Sequence, residues 1–151
     1  MASNNVDTVR AAHQAFNRRD FDAVVSTMTD SFTYLDHARS VTFAGRAEFK
    51  QFMQGWTTAF SNAEVSEPTY IDGGNAVVAQ FTGLGTNDGP LGPMPPSGKS
   101  MRLPFCEMFR FDEQGRMVSG GIYYDQLTLL TQLGHAQAAV SGASQELPRE
   151  P

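Results

Sequence analysis

The chain has 151 residues, enough for one domain with a real core, and its 40% apolar and 11% aromatic content, including eleven Phe, excludes a disordered chain. A net charge of −5, with Lys50 and Lys99 as the only lysines, leaves no basic patch and excludes nucleic acid and an anionic membrane surface as partners. The lone Cys106 has no internal disulfide partner, and without a CxxC or a His/Cys cluster no metal site is expected.

The N-terminus has no apolar leader-like run and no segment approaches membrane length, so a soluble, cytoplasmic protein is expected. A first helix is expected from Ser3 or Asn4, with Val6, Val9, His13 and Phe16 on one face. Asp20 is a second cap, opening a short helix through Phe21, Val24 and Val25. Phe32 to Asp36 reads as a short strand. Gly45 then precedes the strongest helix, where Phe49, Phe52, Met53, Trp56 and Phe60 recur with helical spacing.

After Phe60 the pattern turns to strands. Glu64 to Asp72 and Ala76 to Gly83 form an antiparallel pair about the turn Asp72-Gly73-Gly74-Asn75. The Gly- and Pro-rich stretch from Gly85 to Gly98 is a surface loop, of the length that rims or covers sites. Lys99 to Asp112 is a long strand with a kink expected at Pro104, and Glu113-Gln114-Gly115 turns it into a strand from Arg116 to Tyr124. A short helix with Leu127, Leu130 and Leu133 ends at Gly134. Residues 1–135 are therefore one domain, and 136–151 are expected to be a flexible tail. Helices first and a meander of strands after them make an α+β fold, with helices packed on one face of a curved sheet and room for a ligand between them. Val77, Ala79 and Phe81 share one side of their strand, facing either the core or a dimer partner.

Four segments narrow the reading: Gly85-Thr86-Asn87-Asp88-Gly89-Pro90-Leu91-Gly92, Pro95-Pro96-Ser97-Gly98-Lys99, Phe109-Arg110-Phe111-Asp112-Glu113-Gln114-Gly115-Arg116, and Asp125 followed by Gln132-Leu133-Gly134. With the element order, they make residues 5–135 resemble the SnoaL-like polyketide cyclases (ester cyclases) of the nuclear transport factor 2-like superfamily. The resemblance implies a cone-shaped α+β barrel: N-terminal helices packed on a curved, mainly antiparallel sheet around a central apolar pocket. It implies a cofactor-independent cyclase or isomerase closing a polyketide-like substrate by an aldol step, in a homodimer or higher homo-oligomer. The family's acid/base is an aspartate just before the terminal helix, a position that Asp125 matches. A His of the family's adjacent long strand is replaced here by Glu107. Relatives include isomerases, dehydratases, limonene epoxide hydrolases and proteins with no known catalysis, so fold does not fix the reaction.

Proton removal beside a carbonyl needs a base and a donor for the enolate oxygen. A carboxylate in water, with a pKa of about 4, is a weak base. Burial among rings raises that value toward working pH, where general acid–base catalysis is worth roughly 10²- to 10⁴-fold. Asp125 is the first candidate, and it is also a good N-cap for Gln126-Leu127-Thr128-Leu129. Glu107 is the second. Alternation puts it in a row with Leu103, Phe105, Phe109 and Phe111, where a charge must be neutralised, paired with Arg102 or Arg110 across the sheet, or functional. Asp36 and His37 end the first strand near the expected mouth, either as a proton-shuttling pair or as a turn residue with a surface histidine. The catalytic candidates are thus Asp125, Glu107, Asp36 and His37. The candidates for touching a small apolar substrate are Tyr34, Trp56, Phe105, Tyr123 and His13, each of which also reads as core packing. Cys106 falls on the face opposite Glu107 and reads as a packed residue. The alternatives are an epoxide hydrolase or pyran-forming cyclase using both carboxylates, and a non-catalytic small-molecule-binding module. The first needs Arg102 or Arg110 to face inward, against the strand alternation.

Overall fold

The computed structural model describes residues 4–137. Of the expected tail, residues 138–151 lie outside the described residues, as does Ser3. The described residues form four helices and a six-stranded sheet. Helix α1 (Asn4–Asn17) buries Val6, Val9, Ala12, His13 and Ala15, the three- and four-residue spacing of one helical face. In α2 (Phe21–Val25), the Asp20 side chain accepts the Ala23 N–H at 3.1 Å, as a cap should. Strand β1 (Met28–Asp36) begins before Phe32, its bulged start pairing Met28 with Met117. A short strand unmarked by the sequence pattern, β2 (Val41–Ala44), lies antiparallel to β1. Gly45, at φ +81°, turns β2 directly into α3 (Gly45–Ala59), a conformation that a Cβ would strain. Phe49, Phe52 and Met53 form the buried face of α3.

Strands β3 (Glu64–Asp72), β4 (Ala76–Thr86), β5 (Ser100–Phe111) and β6 (Met117–Tyr123) follow, and α4 (Gln126–Gln132) closes the domain. The strand order is β2-β1-β6-β5-β4-β3, antiparallel except for the parallel pairing of β1 with β6. β4 runs to Thr86, beyond the expected Gly83, because β5 pairs with it without a register break from Ala76↔Arg110 to Thr86↔Ser100. No register break accompanies Pro104, which pairs with Thr82 on β4. β6 pairs with β5 only from Cys106 onward, so proline stands where that strand's other side needs no donor for β6.

Val77, Ala79 and Phe81 belong to the core side of β4. Small residues on this inner face make room for rings: a Cβ at Gly120 would stand 2.7 Å from Phe109 Cδ1, and one at Gly85 2.9 Å from Phe60 Cβ. The closing Gln132-Leu133-Gly134 segment also has a structural reason. The Gln132 amide accepts the Arg102 N–H at 3.0 Å and donates to the Arg102 carbonyl at 2.9 Å, Leu133 is fully buried, and Gly134 adopts φ +77°. The Gly/Pro-rich loop is anchored by fully buried Asn87. Its Nδ2 donates to the Ala59 and Gly89 carbonyls at 3.0 Å each, and its Oδ1 accepts the Ser97 N–H at 2.8 Å. No described helix is long and apolar enough to cross a membrane.

Candidate active site

The register lines up one row of inward residues across the sheet: Tyr70 on β3, Ala79 on β4, Glu107 on β5, Ile122 on β6 and Asp36 on β1. Strands lie roughly 4.8 Å apart, so Tyr70 and Glu107 are separated by about 10 Å over a single methyl group. His13, reaching down from α1, fills that gap. Its Nε2 is 2.8 Å from Glu107 Oε1, and its Nδ1 is 2.9 Å from the Tyr70 hydroxyl. On the far side the Tyr34 hydroxyl donates to Glu107 Oε2. Both His13 and Glu107 are buried, at 8% and 6% exposure.

Burial, reinforced by the nearby Glu107 carboxylate, holds the Tyr34 hydroxyl's pKa well above its ordinary value. Burial also raises Tyr70, against the pull of Arg10, whose guanidinium lies 5.1 Å from the ring centre. The tyrosines therefore stay protonated and donate. With Tyr70 donating to Nδ1, the proton on Nε2 is the one His13 donates to Glu107. The order Tyr70–His13–Glu107–Tyr34 leaves each polar atom in it partnered.

Glu107 and His13 look into an apolar hollow of ≈ 80 Å³ beneath α1 and α3. Phe16, Phe49, Phe52, Met53 and Trp56 wall it from the helices, and Phe81, Phe105 and Phe109 from the sheet. Phe81 and Phe105 stack at 5.2 Å, and Trp56 meets Phe105 edge-on at 5.6 Å. A carboxylate with a histidine donor beside it, facing a wall of rings, is equipped to take a proton from bound carbon and give it back to oxygen.

Of the candidate residues, Trp56, Phe105, His13 and Glu107 line this one hollow. Others need correction. Asp125 is exposed, not dry at the base of the hollow. It caps α4, accepting the Thr128 N–H at 3.1 Å, and that bond lowers its pKa from the ordinary carboxylate value. The reason is local: β6 ends at Tyr123, and the chain must turn outward before α4 can begin. Alternation also sends Tyr123 outward, because Ile122 points in, and Tyr123 is 50% exposed. His37 follows inward-facing Asp36 and so lies outside as well, stacked on the Tyr123 ring at 3.9 Å; it forms no pair with Asp36 over the hollow. Glu107 is not partnered by Arg102 or Arg110, which are both exposed; Arg102 lies 3.5 Å from Glu67. Tyr34 is fully buried and reaches the site through Glu107 rather than as part of the wall.

Asp36 is fully buried but serves a second cluster. Its Oδ1 accepts the Arg39 backbone N–H at 3.1 Å, and its Oδ2 accepts Arg39 Nε at 2.7 Å and the Tyr124 hydroxyl at 2.9 Å. Arg39, Tyr70 and Tyr124 escaped the sequence reading. Tyr70 was findable only from the strand register and Tyr124 only from the way β1 meets β6, whereas Arg39 lies three residues after Asp36 and binds it locally.

The family model of SnoaL-like polyketide cyclases matches residues 6–133. No curated protein matches the sequence. Among solved structures, the chain is similar to a protein from Jannaschia sp. CCS1 assigned as a SnoaL-like polyketide cyclase, with 25% identity and a TM-score of 0.81 over 89% of this chain and 94% of that one. It shares its fold with AclR of Streptomyces galilaeus, assigned as a hydroxylase (17% identity, TM-score 0.79, 93% and 87% covered). The same fold recurs in IdmH of Streptomyces antibioticus, assigned as a polyketide cyclase (19% identity, TM-score 0.75, 87% and 99% covered). With its matched segment spanning all the described helices and strands but the first residues of α1, the chain belongs to the SnoaL-like polyketide cyclase family.

Proposed function

We propose that the protein is a cyclase or isomerase that removes a proton beside the carbonyl of a polyketide-like or other apolar substrate, by general acid–base catalysis with its own side chains. The observation that supports this reading is Glu107, a carboxylate held by His13 on one oxygen and Tyr34 on the other while lining an apolar hollow. Glu107 takes the proton as the substrate C–H bond breaks, and the electron pair passes to the carbonyl oxygen as an enolate. The His13 Nε2–H, bonded to Glu107 Oε1, holds the base in place rather than meeting the enolate oxygen. The enolate carbon then bonds to a second carbonyl carbon, or is reprotonated at another position, and the proton on Glu107 returns to the product. Fixing both oxygens of Glu107 sets the base in one orientation before substrate arrives.

The test uses 2-tetralone, a flat apolar ketone, in deuterated water, with α-hydrogen exchange followed by proton NMR. The protein is expected to accelerate exchange, and Glu107→Gln to lose that acceleration by roughly 10²-fold or more. Exchange by Glu107→Gln at the parent rate overturns the reading. A homodimer or higher homo-oligomer belongs to the same proposal, supported by exposed Ile71 and Tyr123 on the outer face of the sheet, and gel filtration checks it.

A further inference from the structure

A second cavity of ≈ 290 Å³ lies beyond Trp56 and Phe52, which line both spaces. Its apolar walls include Leu91 and Met94 from the Gly/Pro-rich loop, and Leu129 from α4. Leu91 and Met94 are tied to each other by paired backbone bonds of 2.9 and 3.0 Å, so the loop presents them as a formed edge. At one side stand Arg39 and Tyr124. Arg39 is the charged residue of this lining, and its position is set in advance. Asp36, with a wholly buried side chain, grips both its backbone N–H and its Nε, and the Tyr124 hydroxyl completes the Asp36 carboxylate. The Arg39 side chain is 40% exposed, so the cavity meets a guanidinium whose counter-charge is hidden behind it. Nε is one of five N–H donors on that group, which in general take carboxylates in a two-point fork.

We propose that this outer chamber is a subsite for a carboxylate carried on a flat apolar skeleton, held by Arg39 with the skeleton against Trp56. Asp36 and Glu107 occupy the same cross-sheet row two strands apart, about 10 Å, the length of a two-ring molecule. The inference deepens the reading of the inner hollow and rests on it for which end of the molecule reacts: an acid end at Arg39 would aim the other end past Trp56 toward Glu107.

Trp56 is the only tryptophan, so its indole N–H gives a single NMR reporter of occupancy that needs no turnover. The experiment titrates isotope-labelled protein with 2-naphthoate and, separately, with the uncharged 2-naphthylmethanol. The parent is expected to bind naphthoate at least tenfold more tightly than the alcohol. Arg39→Gln should weaken naphthoate tenfold or more while shifting the alcohol less than twofold, a result that also reports an intact fold. Because Arg39→Gln leaves buried Asp36 without its cation, the double variant Asp36→Asn/Arg39→Gln is measured beside it, with the same expectation. Equal affinity of the parent for the two probes, or equal weakening of both in the folded variants, overturns the proposal. So does the absence of any indole shift. None of these readouts involves Glu107, so loss of the subsite and loss of the acid–base reading are separable.

Discussion

Replacing Tyr34 by Phe removes one oxygen from the interior and little else. The ring sits 4.7 Å from Phe49 and 4.9 Å from Phe52, centre to centre, and those contacts survive the change. What is lost is the hydroxyl that satisfies Glu107 Oε2, in a residue with no exposed surface. A hydrogen bond to a charged group contributes about 1.5–3 kcal/mol, and a buried acceptor left without its donor costs a similar amount. No cavity term adds to this, since the ring stays. The expected loss is therefore about 2 kcal/mol, which for a urea slope of about 2 kcal/mol/M lowers the unfolding midpoint by about 1 M. Trp56 fluorescence follows the transition. A double-mutant cycle with Glu107→Gln isolates the pair and should return a coupling of roughly 1–2 kcal/mol. A Tyr34→Phe midpoint within about 0.2 M of the parent would refute the argument, because the hydroxyl would then not be holding the carboxylate.

Two further outcomes follow from the ionisable groups. Burial raises the pKa of Tyr34, Tyr70 and Tyr124, while unfolded tyrosines ionise near 10.0. Above that pH the unfolded chain binds fewer protons than the native one, so stability falls as pH rises; urea midpoints between about pH 9 and 11 should drop, and less steeply in Tyr34→Phe. At α4, Asp125→Ala should lower the urea midpoint while Asp125→Asn, an equally good cap, holds it and leaves 2-tetralone exchange at the parent rate. The depressed Asp125 pKa means that the charge-dependent part of this stabilisation is present above its unfolded value of 3.8 and fades as pH falls further, so the gap between the Ala and parent midpoints should narrow in acid; a gap that does not change with pH contradicts the reasoning.

Much of the fold was written in local pattern. The Phe49-Phe52-Met53 spacing, the Asp20 cap and the Asp72–Asn75 turn each encode an element without help from elsewhere. β2 was not legible because Val41-Thr42-Phe43-Ala44 is four residues of an edge strand that becomes a strand by pairing with β1. The inward face of Glu107 followed from alternation, but its partners did not. His13, Tyr34 and Tyr70 lie on three other elements, and only the register and the seating of α1 bring them together. Asp125 misleads for the converse reason. An acid between an aromatic strand and an apolar helix has the same sequence context whether the chain turns inward or outward there, and the cap geometry decides it.

The parallel pairing of β1 with β6 has a consequence for how the molecule comes into being. Tyr34 and Asp36 are made early in synthesis, whereas Glu107 and Tyr124 are made late, and the alignment of Asp36 with Ile122 is what sets the row. Until the final strand docks, a growing chain owns helices and a meander but no chamber. The ring-lined interior is thus assembled in one late closure between distant ends of the polypeptide, the kind of long-range joining that slows folding and leaves the half-built sheet exposed in the meantime.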